Sequence, residues 1–219
     1  MFEHTLHKRR SSCYLGAMFR IHLGTPYLRF GTLAMLLAGL LLASMSARAM
    51  VVVKREFPEL VARAEQIVVG TVTEIHEQLD ASGAPSTLVT FTDLTVLKGD
   101  AGATLTLSFY GGHAGDVVVR IPDMPTFTVG ERDVLFVAGN GSTVCPLVGV
   151  WQGRFYVRFD PAVGADIVED SAHHPVTGLV GGELVRAPAV AGGQAPMTLE
   201  GFRQLIANEL AHPHSNDAR

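Results

Sequence analysis

The chain has 219 residues, 47% of them hydrophobic, and a formal net charge of −4 at pH 7. Six basic residues and one acidic residue fall in positions 1–49, so the remainder carries 11 basic against 20 acidic residues, a net −9. That balance argues against nucleic acid as a partner, because phosphate binding rests on neutralisation by Lys and Arg, and no dense basic patch follows residue 50.

Residues 30–45 (FGTLAMLLAGLLLASM) are an uncharged, Leu- and Ala-rich run. It follows a segment containing Lys8, Arg9, Arg10, Arg20 and Arg29, and Ala47-Arg48-Ala49 comes soon after it. A basic n-region, an apolar h-region and a small-x-small box make a secretory signal over 1–49. Cleavage near Ala49 is expected, giving a periplasmic or secreted protein. Met18 is an alternative start that leaves a shorter leader. A retained leader is the competing expectation, since the uncharged stretch between Arg29 and Arg48 is long enough to span a bilayer. The membrane is then touched through the leader alone. No Cys stands at the cleavage point, which argues against a lipid anchor.

The rest of the chain suits one domain with some extra structure. It holds a single cysteine, Cys145, so no internal disulfide forms. Val144 and Leu147 flank Cys145-Pro146, which points to a buried thiol in a strand.

In chain order, residues 58–66 (PELVARAEQ) read as a short helix, with Pro58 in its first turn and Leu60, Val61 and Ala64 on its apolar side. Residues 67–75 and 87–97 are β-branched and Thr-rich, as strands require. The turn-forming residues 80–85 between them make the pair a hairpin. Residues 104–109 alternate Thr/Ser with Leu, Leu and Phe as a third strand, which Gly111-Gly112 ends. A short strand over 117–121 and another over 133–138 follow. Asn140-Gly141 predicts a hairpin turn into a strand over 143–151, and a tight turn at Gln152-Gly153 leads to a last strand over 153–159. On that strand Phe155, Val157 and Phe159 form one face, with Arg154, Tyr156 and Arg158 on the other.

Residues 161–197 shift to Gly, Ala, Pro and Val and read as extended or mobile chain wrapped around the domain. Residues 198–211 (TLEGFRQLIANELA) predict a helix capped by Thr198, with a stripe of Leu199, Phe202, Leu205, Ile206 and Leu210 for docking. The expected organisation is thus a signal peptide over 1–49, a β-barrel domain over 50–160, an extended segment over 161–197 and a C-terminal helix over 198–212. The fold class is mainly β, a small OB-like antiparallel barrel with a sandwich as the alternative.

An ordered set of motifs adds to this. It comprises Ala64-Glu65-Gln66-Ile67-Val68-Val69-Gly70-Thr71-Val72, Val96-Leu97-Lys98-Gly99, Gly111-Gly112, Met124-Pro125-Thr126-Phe127-Thr128-Val129-Gly130-Glu131-Arg132, Leu135-Phe136 and Gln152-Gly153-Arg154-Phe155. Over roughly residues 56–159 the chain resembles uncharacterised exported bacterial proteins with an OB-like barrel. More distantly it is similar to the netrin-like modules of tissue inhibitors of metalloproteinases. Those inhibitors place an N-terminal Cys-x-Cys on the protease zinc, whereas Met50-Val51-Val52-Val53 stands here, so the resemblance implies the fold and not the inhibitory chemistry. Phe127 is expected to plug a barrel end, and Glu131 to bond backbone amides or pair with Arg132 or Arg154.

Catalytic signatures are sparse: no Gly-x-Ser-x-Gly elbow, no His-Glu-x-x-His helix, no P-loop and no dinucleotide fingerprint. Neither a cofactor nor a metal is expected. His113, near Asp116 in the loop after Gly111-Gly112, is the histidine of interest, either as part of a ligand loop or simply solvated. Glu74 and His76 share a strand face and suit a metal only if another strand contributes. His173-His174 and His212-Pro213-His214 lie in segments expected to be mobile. Arg154, Tyr156 and Arg158, with Trp151 nearby, form the best recognition surface, because Arg and aromatic groups dominate interface hot spots. The competing expectation pairs these charges with Asp160, Asp166, Glu169 or Asp170 under the following tail.

The leading expectation is a non-catalytic exported module binding another protein, a secreted or envelope protease among the candidates, through that face. The alternative is a metal- or small-ligand-binding protein using His113, His76 and nearby acids. A hydrolase with a dispersed site ranks third.

Overall fold

The structure is a computed structural model that describes residues 53–187 and 194–213. The leader expected over 1–49 and His214 lie outside them. Helix α1 (Phe57–Arg63) opens this part, with its Pro in the first turn and Phe57, Leu60 and Val61 buried. The β-branched stretches then form the two longest strands, β1 (Gln66–Leu79) and β2 (Pro85–Lys98). At the turn between them, Asp80 Oδ1 accepts from the amides of Ser82 and Ala84, the local bonding that makes Asp a turn residue. Next come β3 (Leu105–Tyr110) and a small hairpin of β4 (Gly112–Ala114) and β5 (Val117–Val119). β6 (Arg132–Val137), β7 (Arg154–Asp160) and β8 (Ala165–Glu169) follow, then a second hairpin of β9 (Val176–Val180) and β10 (Glu183–Arg186). Helix α2 (Leu199–Ala211) ends the described part.

The fold is mainly β. Its main sheet is antiparallel, in the order β3-β2-β1-β6-β7-β8. Among the described residues no ladder joins β3 to β8, so the expected barrel is not closed by strand pairing. Register shifts between β1 and β2 bend that ribbon, as bulges do.

Both faces of the sheet centre are buried, which explains the unbroken apolar run in β6. Val134 and Phe136 face one core with Ile67, Val69 and Phe155, covered by Phe57 of α1, Phe202 and Ile206 of α2, and Val176 and Leu184 of the second hairpin. Phe57 packs edge-on against Phe136 and Phe202. Leu135 and Val137 face a second core with Val68, Val72, Val89, Phe91, Leu107 and Phe109. Thr198 caps α2 by accepting from the Gly201 amide at 3.1 Å, and the expected stripe docks: Leu199, Phe202 and Ile206 are buried, with Leu205 and Leu210 partly so.

The chain after β6 departs from expectation. Asn140-Gly141 does turn, but residues 143–151 form no strand. They make one isolated bridge, Val137 to Leu147, and a 3₁₀ turn over Val150–Gly153. β7 pairs directly with β6 instead. The reason lies in Asn140, whose side chain leaves the turn to bond the edge of β3. Its Oδ1 accepts from the Ser108 amide at 3.0 Å and its Nδ2 donates to the Thr106 carbonyl at 2.8 Å. The Tyr110 amide donates to the Val144 carbonyl at 2.9 Å. This loop therefore covers an edge that would otherwise present unpaired backbone. Cys145 sits half-buried beside the second core, outside any strand, and burial pushes its thiol pKa up.

Residues 161–197 also differ from expectation, since they contain β8, β9 and β10. The Val176 and Leu184 side chains supply core contacts despite the scarcity of aromatics. Met197 straps this region down: its carbonyl accepts from Val168 and its amide donates to Val176.

Candidate functional site

β6 pairs with β1 only as far as Thr71, so the rest of the β1–β2 ribbon extends beyond the sheet centre. Immediately after β3, Gly111 and Gly112 take φ values of 102° and 126°, a region open chiefly to glycine. That path lets β4 lie against the ribbon. Gly111 donates its amide to the Pro85 carbonyl at 2.8 Å and accepts from Thr87 Oγ1 at 2.9 Å. A Cβ on Gly112 would stand 2.5 Å from Thr87 Oγ1 and 3.0 Å from Glu77 Oε1. Only a bare backbone fits there.

Between the ribbon, the β4–β5 hairpin and residues 120–127 lies a cleft of about 630 Å³. Val89, Phe109, Met124 and Phe127 bring the second core to its surface. Phe127 closes this end of the core as expected, its ring 5.6 Å from Phe91 and 5.0 Å from Phe109. Ile75, Val118, Val119 and Ile121 add apolar wall, and the side chains of Glu77, Thr87, His113 and Arg120 are among the polar groups in the lining. An apolar space with a few polar groups is the general form of a small-molecule site.

The structure thus brings Gly111, Gly112 and His113 to one cleft. Asp116 lies exposed in the β4–β5 turn, outside the lining, and makes no ion pair with His113. Glu74 and His76 are exposed on β1. No group of three or more His, Cys, Asp or Glu among the described residues could hold a metal ion. Gly111-Gly112 signals the cleft in the sequence through its need for close backbone approach. Glu77, Arg120 and Met124 carry no such signal, because only the fold brings the ribbon, the hairpin and the loop together.

The exposed face expected of Arg154, Tyr156 and Arg158 is corrected at its first member. Arg154 is 2% exposed. Residues 126–131 cross the face of β7 at this point and place Phe127 over the guanidinium, 3.9 Å from its ring centroid, while Tyr156 lies 4.3 Å away. Arg154 Nη1 donates to the Thr126 carbonyl. Nη2 donates to Glu131 at 2.8 Å and to Asp133 at 3.0 Å. Glu131 Oε2 also accepts from the Thr128 amide, so both roles expected of Glu131 are realised. Asp133 Oδ1 and Arg154 Nε are buried without a hydrogen-bond partner. Burial, only partly offset by Arg154, raises the Asp133 carboxyl to about 6.

Arg158 is half-exposed and pairs with Glu169 at 2.8 Å and Asp160 at 3.9 Å. Arg132 pairs with Asp166, and Arg186 with Asp170. The competing expectation of paired charges thus holds for Arg158 alone, since Arg154 pairs with Glu131 and Asp133 instead. Tyr156 stacks on His173 with centroids 4.1 Å apart, and burial raises its phenol pKa. His173 and His174 lie within 4 Å of Glu169 and Asp170 respectively. Trp151 is 39% exposed in the 3₁₀ turn. It lines, with Arg154, a cavity of about 30 Å³, room for about one water.

Family models, curated proteins and solved structures gave no match to this chain.

Proposed function

We propose that this chain is an exported, non-catalytic binding protein that holds an apolar ligand in the cleft between the β1–β2 ribbon and the β4–β5 hairpin. One observation carries the proposal: a cleft of about 630 Å³ whose apolar lining continues from the second core. Its volume falls within the range that small-molecule ligands occupy, and its apolar walls give the affinity while the few polar groups give orientation. The basic segment, the apolar run over 30–45 and the Ala47-Arg48-Ala49 box support export. No helix among the described residues is long and apolar enough to cross a membrane.

Titration with N-phenylnaphthylamine, a neutral apolar dye that brightens when it leaves water, tests the proposal. Ile75 and Val118 line the cleft and are 37% and 52% exposed, so Ile75→Glu with Val118→Glu charges the wall without touching the core. The dye is expected to bind the wild type saturably and to lose most of its affinity for the double variant. Equal binding to both proteins, or none to the wild type, contradicts the proposal.

A further inference from the structure

Arg120 stands apart from every other Lys and Arg among the described residues. Lys54, Arg55, Arg63, Arg132, Arg154, Arg158, Arg186 and Arg203 each pair with a carboxylate. Lys98 donates to the carbonyls of Val61 and Ala62. Arg120 alone makes no hydrogen bond and no ion pair, although acidic residues outnumber basic ones after position 49 and Asp116 and Asp123 are close in sequence. It lies in the lining of the cleft, where its guanidinium is open to solvent.

We propose that the ligand of the cleft is a small single-chain amphiphile ending in a carboxylate, with the carboxylate on Arg120 and the apolar chain against Phe109, Met124 and Phe127. The inference rests on the cleft being the ligand site. A guanidinium presents a planar fork of donors that matches a carboxylate, and an unpaired one has those donors to give. His113 pairs across the hairpin with Val118, two residues before Arg120, so strand alternation puts it on the same side as a second donor. Glu77 lines the same cleft but makes no ion pair with Arg120, so the guanidinium's donors stay free for a ligand. The Glu77 carboxylate stands beside Gly112 and Thr87. It repels an anion from that end of the cleft and so sets the direction of the chain. A head group at the wet rim and a tail against the core is the arrangement an amphiphile requires.

Displacement of the dye by dodecanoate and by dodecanol, at low salt and neutral pH, separates the charge from the tail. Dodecanoate is expected to bind about three- to fivefold more tightly, the value of an ion pair to an exposed guanidinium. Arg120→Gln is expected to bring dodecanoate down to the level of dodecanol and to leave dodecanol unchanged. Arg120 is exposed, so the variant folds, and unaltered dye binding confirms it. Equal affinity for acid and alcohol, or equal weakening of both in Arg120→Gln, overturns the inference while the cleft stands as an apolar site. Failure of the dye and of both amphiphiles to bind overturns the cleft function and the inference together. An apolar tripeptide acid that binds more tightly than dodecanoate, and more tightly than its own amide, overturns the small amphiphile in favour of a polypeptide C-terminus.

Discussion

The guanidinium of Arg154 lies between the rings of Phe127 and Tyr156, 3.9 and 4.3 Å from their centroids. The same guanidinium donates to the Thr126 carbonyl, so one buried cation fixes the loop that forms a wall of the cleft to β7. Its position is maintained by Glu131 and Asp133, which lie on either side of Arg132 at the start of β6. Charge and aromatic contact therefore anchor the cleft wall to β7, while Gly130 and Glu131 at the end of the loop exchange backbone bonds with Val72 of β1.

Arg154→Met should destabilise the protein by about 3–5 kcal/mol, because the change leaves Asp133 buried without its counter-charge. Arg154→Lys should lose much of the same stability, since an ammonium cannot fill the planar fork between two rings. Arg158→Ala, by contrast, should cost less, about 1–2 kcal/mol, because Arg158 is half-exposed although its partner Glu169 is buried. Urea denaturation of the three variants checks this. Equal losses at Arg154 and Arg158 would place them in equivalent environments, contrary to the structure.

Asp133 makes stability depend on pH in a stated direction. Burial raises its folded pKa from 3.8 to about 6, with Arg154 only partly opposing. Over that interval the folded protein holds more protons at this site than the unfolded chain. Its contribution is therefore fully present below about pH 4 and is lost as pH rises through about 6, a change on the order of 3 kcal/mol. Asp133→Asn should remove this dependence. The difference in unfolding free energy between wild type and variant, followed from about pH 4 to about pH 7, should fall as pH rises. A flat difference would mean that Asp133 titrates normally.

Gly112→Ala should be costly twice over, through its positive φ and through the approach of Thr87 Oγ1 to 2.5 Å. We expect about 1–3 kcal/mol and a displaced hairpin with altered dye affinity. Gly115→Ala in the turn of the same hairpin meets nothing within 4 Å. Thermal unfolding should rank Gly112→Ala as the more damaging.

Asn140→Ala removes the two side-chain bonds that cover the edge of β3. A loss of about 1–2 kcal/mol is expected, with faster hydrogen exchange at the Ser108 amide and a greater tendency to aggregate through the uncovered edge. Unchanged exchange at Ser108 would show that the edge is protected by other means.

Several elements were legible because local chemistry decides them. The β1–β2 hairpin follows from β-branched residues on both sides of an Asp-Ala-Ser-Gly turn, and α2 from the Thr198 cap with its apolar stripe. The role of Glu131 followed from its place at a turn before a strand. Asn140 misled because the same residue that favours a two-residue hairpin also bonds backbone across a gap, and only the bend of the sheet brings β3 within its reach. Arg154 misled because alternation assigns a side chain to a face without saying what covers that face. The strands in 161–187 were hidden because their core contacts come from Val and Leu between Gly-rich turns, with no aromatic residue to mark them. The cleft itself was half legible: Gly111-Gly112 announced a close approach, while Glu77 and Arg120 join it from separate elements.

Amide NMR shifts recorded during titration of the protein with the neutral dye test the central claim most directly. The account predicts shifts centred on Glu77, Gly111 to His113, Val118 to Ile121 and Phe127, which line the cleft. Shifts centred instead on Trp151, Arg158 and their neighbours, or no saturable shifts at all, would contradict it.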